Sequence, residues 1–398
     1  MNLDSKLNIY LKSSGSKPRK TVRRQPPRIG YLRDTSLGEI WVVDWEFEQG
    51  QLHGNYEIKK ISEISSIIDV NLPDFNPSRA TVIDTETTGL AGGTGTYAFI
   101  IGAGFWLDGK FIVRQYMMRD FNEEPAQLLA LAEDYSGSLI SYNGKCFDIP
   151  LLLNRYRLHR FELPFENSDH LDMLFPGRRI WKRSMPGFKL TQMEELILGY
   201  ARDGDIPSHL IPSIFFEYLQ TRDESLLYPI LHHNRDDILS LYHLTSVTTE
   251  IVDQCLGNDS NDDELLLSLG EMYFNTGDYN QALKITDKIK AEFAPNNTLD
   301  EAARLQALSC KKLGRWNRAI ECFIKANEHK PDIYYAVELA KLYEHKSKNL
   351  HKALEFVSQA EMLYEIDTYK SDVDSSIMAA LTHRKNRLKR KINRLLHN

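Results

Sequence analysis

The first half of the chain mixes short apolar runs of strand character with segments of helical spacing. Residues 31–70 read as short strands with turns between them. GEIWVVDWEF alternates only weakly between apolar and polar, and EQGQLHGN supplies turn residues. NLPDFNPS, residues 71–78, is a Pro/Asn loop, and ATVIDTE after it reads as a strand. YAFIIGAGFW, LDGK and FIVRQYMM predict a hairpin turning at Asp108-Gly109. EEPAQLLALAEDY has helical periodicity, and Glu123 and Glu124 suit the electropositive first turn of a helix. SLISY is a further short strand. After NGKC, FDIPLLLNRYRLHR again has helical spacing, and residues 190–248 look mostly helical. Three meandering strands followed by helix, strand and helix predict a mixed sheet flanked by helices.

The pattern changes after about Gly257, and from there the chain reads as helical throughout and repeats itself. Gly277-Asp278-Tyr279 precedes Ala282, Gly314-Arg315-Trp316 precedes Ala319, and Asn349-Leu350 precedes Ala353, so the alanines recur at 37 and 34 residues. The middle unit continues with Phe323, Ala326 and Pro331, a pattern that resembles the tetratricopeptide repeat. Small residues let the two helices of a unit approach closely, and aromatics fill the gaps between units.

Composition narrows the class. Of 398 residues, 42% are hydrophobic and 26% charged, enough apolar material for more than one core. No segment approaches the ~18 apolar residues of a membrane span, and the N-terminus lacks an apolar signal core, so a cytoplasmic location without membrane contact is expected. The four cysteines are scattered and form no CxxC pair, which argues against a disulfide scaffold or a zinc module. The net charge of −6 is uneven: residues 1–30 hold eight basic residues against one acid. That stretch reads as a disordered basic arm, either solvated or neutralising phosphates. A second basic run, Arg384 to Arg394, lies on a terminal helix where solvation alone could explain it. A third cluster (Arg178, Arg179, Lys182, Arg183 and Lys189) contains no acid of its own.

The candidate chemistry lies in the first half. Asp84 and Glu86 end an apolar strand, and side chains at i and i+2 of a strand share a face. Two carboxylates there repel each other unless a cation lies between them. Gly89 follows at once and gives the chain freedom to turn beside them. Asp148 opens a helix directly after a strand, and Asp236-Asp237 lies on a helix in HHNRDDI. Hard oxygen donors at the ends of elements from one sheet suit two Mg²⁺ or Mn²⁺ ions, which can activate a water and stabilise the leaving oxygen of a phosphodiester. Gly92, Gly93 and Gly95 lack the Lys-Ser/Thr ending of a phosphate loop, which excludes that class of ATPase site.

At these residues the sequence resembles the DEDD exonucleases, which have the ribonuclease H-like fold, and in particular the YprB-type ribonuclease H-like proteins, whose members often carry tetratricopeptide repeats. The matching words are VIDTETTGLAGGTGTYAFIIG, SYNGKCFDIPLL, HLDMLFPGRRIW, IPSIFFEYL and HNRDDILSL. The resemblance implies a divalent-metal-dependent nuclease acting on DNA or RNA, by analogy a 3′–5′ exonuclease. Asp84 would bridge both metals, Glu86 and Asp237 would complete one site, and Asp148 would act through water on the second. A His or Tyr shortly before the last Asp would serve the attacking water. His232 stands five residues before Asp237 and His233 four before; residues four apart share a helical face, so on a regular helix His233 is the expected base, while a break before the Asp would bring in His232 instead. His170 and Asp172 match a family His-x-Asp and are expected to make structural hydrogen bonds behind the site. Asn143, Lys145, Arg178, Arg179, Lys182 and Arg183 are the candidates for nucleic-acid contact.

The expected organisation is a basic arm over residues 1–30, a ribonuclease H-like domain over 31–250, and tetratricopeptide-like repeats over 258–398 that end in a basic helix and could hold a protein partner. The competing expectation is a non-catalytic nucleic-acid-binding adaptor working through those repeats.

Overall fold

The computed structural model describes residues 27–257, 262–289, 296–368 and 375–396, apart from 66–67, 69–71, 73, 90–94 and 136. Most of the basic arm, together with Gly92 and Gly93, therefore lies outside the described residues. The chain forms two compact units. One runs to Arg178 and resumes over Pro186–Ile251, and the other joins Arg179–Met185 to the residues from Val252 onward.

The first unit is built on seven strands: β1 (Tyr31–Thr35), β2 (Gly38–Glu48), β3 (Thr81–Thr87), β4 (Ala98–Leu107), β5 (Lys110–Met117), β6 (Leu139–Ser141) and β7 (His170–Asp172). They form one sheet in the order β1-β2-β5-β4-β3-β6-β7. Pairing is antiparallel from β1 through β3 and parallel from β3 through β7, so the sheet is mixed, as the alternation predicts. The β4–β5 hairpin turns at Asp108 and Gly109, with φ of 49° and 83°, the two left-handed residues that a two-residue hairpin requires.

Helices cover both faces of the sheet. They are α1 (Glu124–Asp134), α2 (Asp148–His159), α3 (Leu174–Ile180), α4 (Ile211–Thr221) and α5 (Tyr228–Leu256), the last residues of α3 and α5 grouping with the second unit. Ile40 and Val42 of β2 pack with α1 and α2, while Trp41 and Val43 pack with α4 and the start of α5. That accounts for the weak alternation of GEIWVVDWEF: a strand buried on both sides reads as a continuous apolar run. Residues 190–248 are mostly helical, as expected, with one irregular stretch. A helical turn (Leu190–Met193) runs into a π turn (Glu194–Leu198), but residues 199–207 are irregular.

The second unit is all helical among its described residues: α6 (Asp263–Thr276), α7 (Tyr279–Thr286), α8 (Asn296–Lys312), α9 (Trp316–His329), α10 (Ile333–His345), α11 (Leu350–Thr368) and α12 (Ser375–Leu396). Ala282, Ala319 and Ala353, the recurring alanines, are all 0% exposed, because a methyl group is what closely packed helices leave room for. The basic run of α12 is docked rather than merely solvated. Arg384, Arg387 and Lys391 reach Glu344 of α10 at 3.0, 2.6 and 2.7 Å. Among the described residues, no helix is long and apolar enough to cross a membrane.

Candidate metal centre

Three elements bring acids to one end of the sheet. Asp84 and Glu86 project from the end of β3, where the register shifts after Glu86 as the strand leaves its partner. The parallel neighbour β6 ends at Ser141, and the loop after it returns Asp148 at the start of α2. There Thr85 Oγ1 donates to Asp148 Oδ1 at 2.5 Å. Asp172, at the end of β7, secures this loop by accepting from the backbone N–H groups of Asn143 at 2.7 Å and Lys145 at 3.1 Å. His170 Nε2 meets Ser141 Oγ at 2.6 Å. The His-x-Asp pair thus makes structural hydrogen bonds behind the site. Gly144 is required here, since a Cβ would lie 2.5 Å from Ser141 Oγ.

Helix α5 supplies the rest. It crosses the sheet so closely that a Cβ on Gly102 of β4 would lie 2.3 Å from Asn234 Oδ1. His233 and Asp237 share the face turned to the acids. His233, 7% exposed, has Nε2 3.5 Å from Asp237 Oδ2 and 3.9 Å from Glu86 Oε1. Asp236 turns away toward Arg235, at 2.7 Å, and Tyr200. His232 is exposed and packs edge-on against Trp45, with ring centroids 5.3 Å apart.

A relay of buried amides holds Asp84. Trp45 Nε1 donates to Gln115 Oε1 at 2.7 Å, Gln115 Nε2 donates to Asn234 Oδ1 at 2.8 Å, and Asn234 Nδ2 donates to Asp84 Oδ2 at 2.7 Å. An indole N–H can only donate, so the direction of each later bond follows from the first.

Two residues from the irregular segment 199–207 complete the site. Arg202 donates to Asp237 Oδ1, is clamped by Glu194 through Nε at 2.8 Å, and reaches Asp205 Oδ2 at 3.3 Å. Asp205 Oδ1 lies 2.6 Å from His233 Nδ1. Neither residue stood out in the sequence. The only signal was two charges among Gly, Asp and Pro in a stretch without periodicity.

The carboxylates strain against one another. Burial, then the charges of Asp237 and Asp148, push the Asp84 carboxyl well above the ordinary carboxylate range. Burial, then Asp84 and Asp237, do the same to Glu86. Burial raises Asp148 to about 6 against the opposing hydrogen bond from Thr85. Such a group relaxes when a cation supplies the missing charge. The donor set fits one: carboxylate oxygens of Glu86 and Asp237 lie within 4.8 Å of each other and of a His233 ring nitrogen, and hard oxygens suit Mg²⁺ or Mn²⁺.

The expected phosphate contacts divide. Lys145 is exposed on the loop leading to Asp148, which also carries Asn143 at φ 64°, and Arg178 is exposed on α3. Lys182 and Arg183 require a correction. Arg183 pairs with Glu271 at 2.9 Å and Glu301 at 2.5 Å, and Lys182 pairs with Glu271. The cluster lacks acids only locally; helices α6 and α8 deliver them, and with Arg179 these residues group with the helical unit.

A mixed sheet of this order, with acids gathered from β3, the start of α2 and α5, defines a ribonuclease H-like α/β fold followed by an all-helical region. Residues 81–249 match the RNase_H_2 family, described as RNase_H superfamily. Over 346 residues the chain is 29% identical to the uncharacterized protein YprB of Bacillus subtilis (strain 168), spanning 82% of this chain and 83% of YprB.

Proposed function

We propose that this protein is a divalent-metal-dependent nuclease that hydrolyses phosphodiester bonds of DNA or RNA, as a 3′–5′ exonuclease working with two Mg²⁺ or Mn²⁺ ions. The observation that carries the reading is the meeting of Asp84, Glu86, Asp148, His233 and Asp237 at one end of the sheet, with Asp84 and Glu86 forced above the ordinary carboxylate range by burial and by one another. When bound, the ions supply water activation and charge stabilisation at the leaving oxygen. Asp84, Glu86 and Asp237 would hold one cation, and Asp84 with Asp148 would hold the second. His233 takes the proton of the attacking water through Nε2. Asn143, Lys145, Arg178 and Arg179 position the phosphate backbone. The helical unit, read as three tetratricopeptide-like pairs with a terminal helix, holds a protein partner.

The test is incubation of end-labelled DNA and RNA oligonucleotides, single- and double-stranded, with Mg²⁺ or Mn²⁺ and with or without EDTA. Metal-dependent shortening from the 3′ end supports the reading. Intact substrate across the whole panel overturns it in favour of a non-catalytic adaptor.

A further inference from the structure

An imidazole can serve as a base at one nitrogen only if its proton sits on the other, and the side chain that holds that proton decides which nitrogen works. His233 lies between two sets of neighbours. On its Nε2 side stand Glu86 Oε1 at 3.9 Å and Asp237 Oδ2 at 3.5 Å. On its Nδ1 side stand Asp205 Oδ1 at 2.6 Å and Arg202 Nη1 at 3.3 Å.

The two Nδ1 neighbours make opposite demands. A carboxylate only accepts, so Asp205 requires a proton on Nδ1; a guanidinium only donates, so Arg202 requires Nδ1 bare. The carboxylate contact is shorter by 0.7 Å, and the same Arg202 nitrogen has Asp205 Oδ2 at 3.3 Å. Asp205 is itself braced, because its Oδ1 also accepts from the Ile206 backbone N–H at 2.9 Å. Arg202, with a side chain 6% exposed, is pinned in turn by Glu194, whose side chain is 1% exposed.

We propose that Asp205 is a positioning residue for His233: its carboxylate holds the proton on Nδ1 and thereby keeps the Nε2 lone pair directed at Glu86 and Asp237. The consequence for rate rests on the nuclease reading; the tautomer itself does not. Arg202 then has two tasks, donating to Asp237 on one side and steadying Asp205 on the other.

The test uses the full chain labelled with ¹⁵N-histidine, at a pH where the ¹⁵N shifts themselves show a neutral ring. The His233 signals are assigned by difference from His233→Ala. The expected result is a proton-bearing Nδ1 and a bare Nε2, with the preference lost in Asp205→Ala. Asp205→Asn keeps the size and an acceptor oxygen, and should retain the tautomer. In the cleavage assay, Asp205→Ala should lower kcat by about 10–100-fold, the usual worth of a carboxylate behind a functional imidazole, with KM for the oligonucleotide unchanged. Asp205→Asn should fall between. A proton found on Nε2 of the wild type overturns the proposal, as does an Asp205→Ala chain with unaltered tautomer and kcat. If Asp205→Ala melts early, the wild-type and Asp205→Asn spectra still decide. If no substrate is cleaved at all, the nuclease reading fails while the tautomer stands on its own result.

Discussion

Glu86 in the α/β unit and Glu344 in the helical unit are both nearly closed to solvent, yet their surroundings push them in opposite directions. Glu86 faces Asp84 and Asp237, and burial together with their charges drives its carboxyl well above the ordinary range. Glu344 is equally removed from water, but Lys391 and Arg387 hydrogen-bond to it, and Arg384 adds a third contact at 3.0 Å. Those cations overcome the effect of burial and hold the carboxyl at about 2. The same side chain is thus matched where it ties a helix down and left short of positive charge where chemistry is proposed. Unmatched charge in a folded protein marks a place that a ligand completes.

The sharpest way to break the comparison is Asp84→Asn. An amide keeps the shape and removes one of the charges meant to oppose the cations, so cleavage of a labelled oligonucleotide should be abolished. The metal-free chain should melt no earlier than wild type, because a repulsion has been removed. Retained turnover, or a fall in Tm, contradicts the assignment. Next in size, His233→Ala should slow single-turnover cleavage by about 10²–10⁴-fold, the range for loss of a general base, and His232→Ala should do far less because that ring packs outside the site against Trp45.

Metal should stabilise only the unit that lacks charge. At a concentration 100 times Kd, Mg²⁺ or Mn²⁺ should add about 2.7 kcal/mol to that unit, read as a shift in its melting transition that disappears in Asp84→Asn. In the helical unit, Glu344→Gln should cost about 2 kcal/mol by removing charged hydrogen bonds. The pH dependence has a definite sign. A carboxyl whose folded pKa is depressed contributes its full stabilisation above its unfolded value, ordinarily 4.5, and loses it as the pH falls toward about 2. Acid melts of wild type should weaken across that window, and melts of Glu344→Gln should not show this component. The smallest effect concerns phosphate contact. Lys145→Ala with Arg178→Ala should flatten the log–log salt dependence of single-strand binding by roughly 0.7 per lost contact. Lys182→Ala with Arg183→Ala should leave it unchanged, since their charges are already met by Glu271 and Glu301.

The acids of the site were legible because strand and helix periods place them. Asp84 and Glu86 share a face at i and i+2, and His233 and Asp237 share one at i and i+4. The sheet was legible for the same reason, apart from β2, where burial on both sides erased the alternation. What stayed hidden depends on distance along the chain. Arg202 and Asp205 lie in a segment with no period to read, and their partners stand 28 to 35 residues away. The acids that neutralise Lys182 and Arg183 come from 88 or more residues further on, so the local sequence shows an unopposed basic cluster. Gln115 and Asn234 escaped notice because a neutral amide carries no charge pattern, although both are 0% exposed and every polar contact they make is specific.

The amide relay implies something about where this domain begins. The matched family region starts at residue 81, but the first donor in the relay is Trp45 on β2. Gln115 is symmetrical enough to turn over, and two neighbours tell it which end to present: the indole, which has no lone pair to offer, and the Leu231 backbone carbonyl, which accepts from Nε2 at 2.8 Å. Without strand β2, the Gln115 oxygen would lose its donor, and the Leu231 carbonyl alone would hold the orientation that Asn234 and then Asp84 depend on. A fragment cut at the edge of the matched region would therefore keep all four acids and hold the first of them with one fewer bond behind its grip. The grip on the central carboxylate is steadied, one bond at a time, by a tryptophan that never touches it.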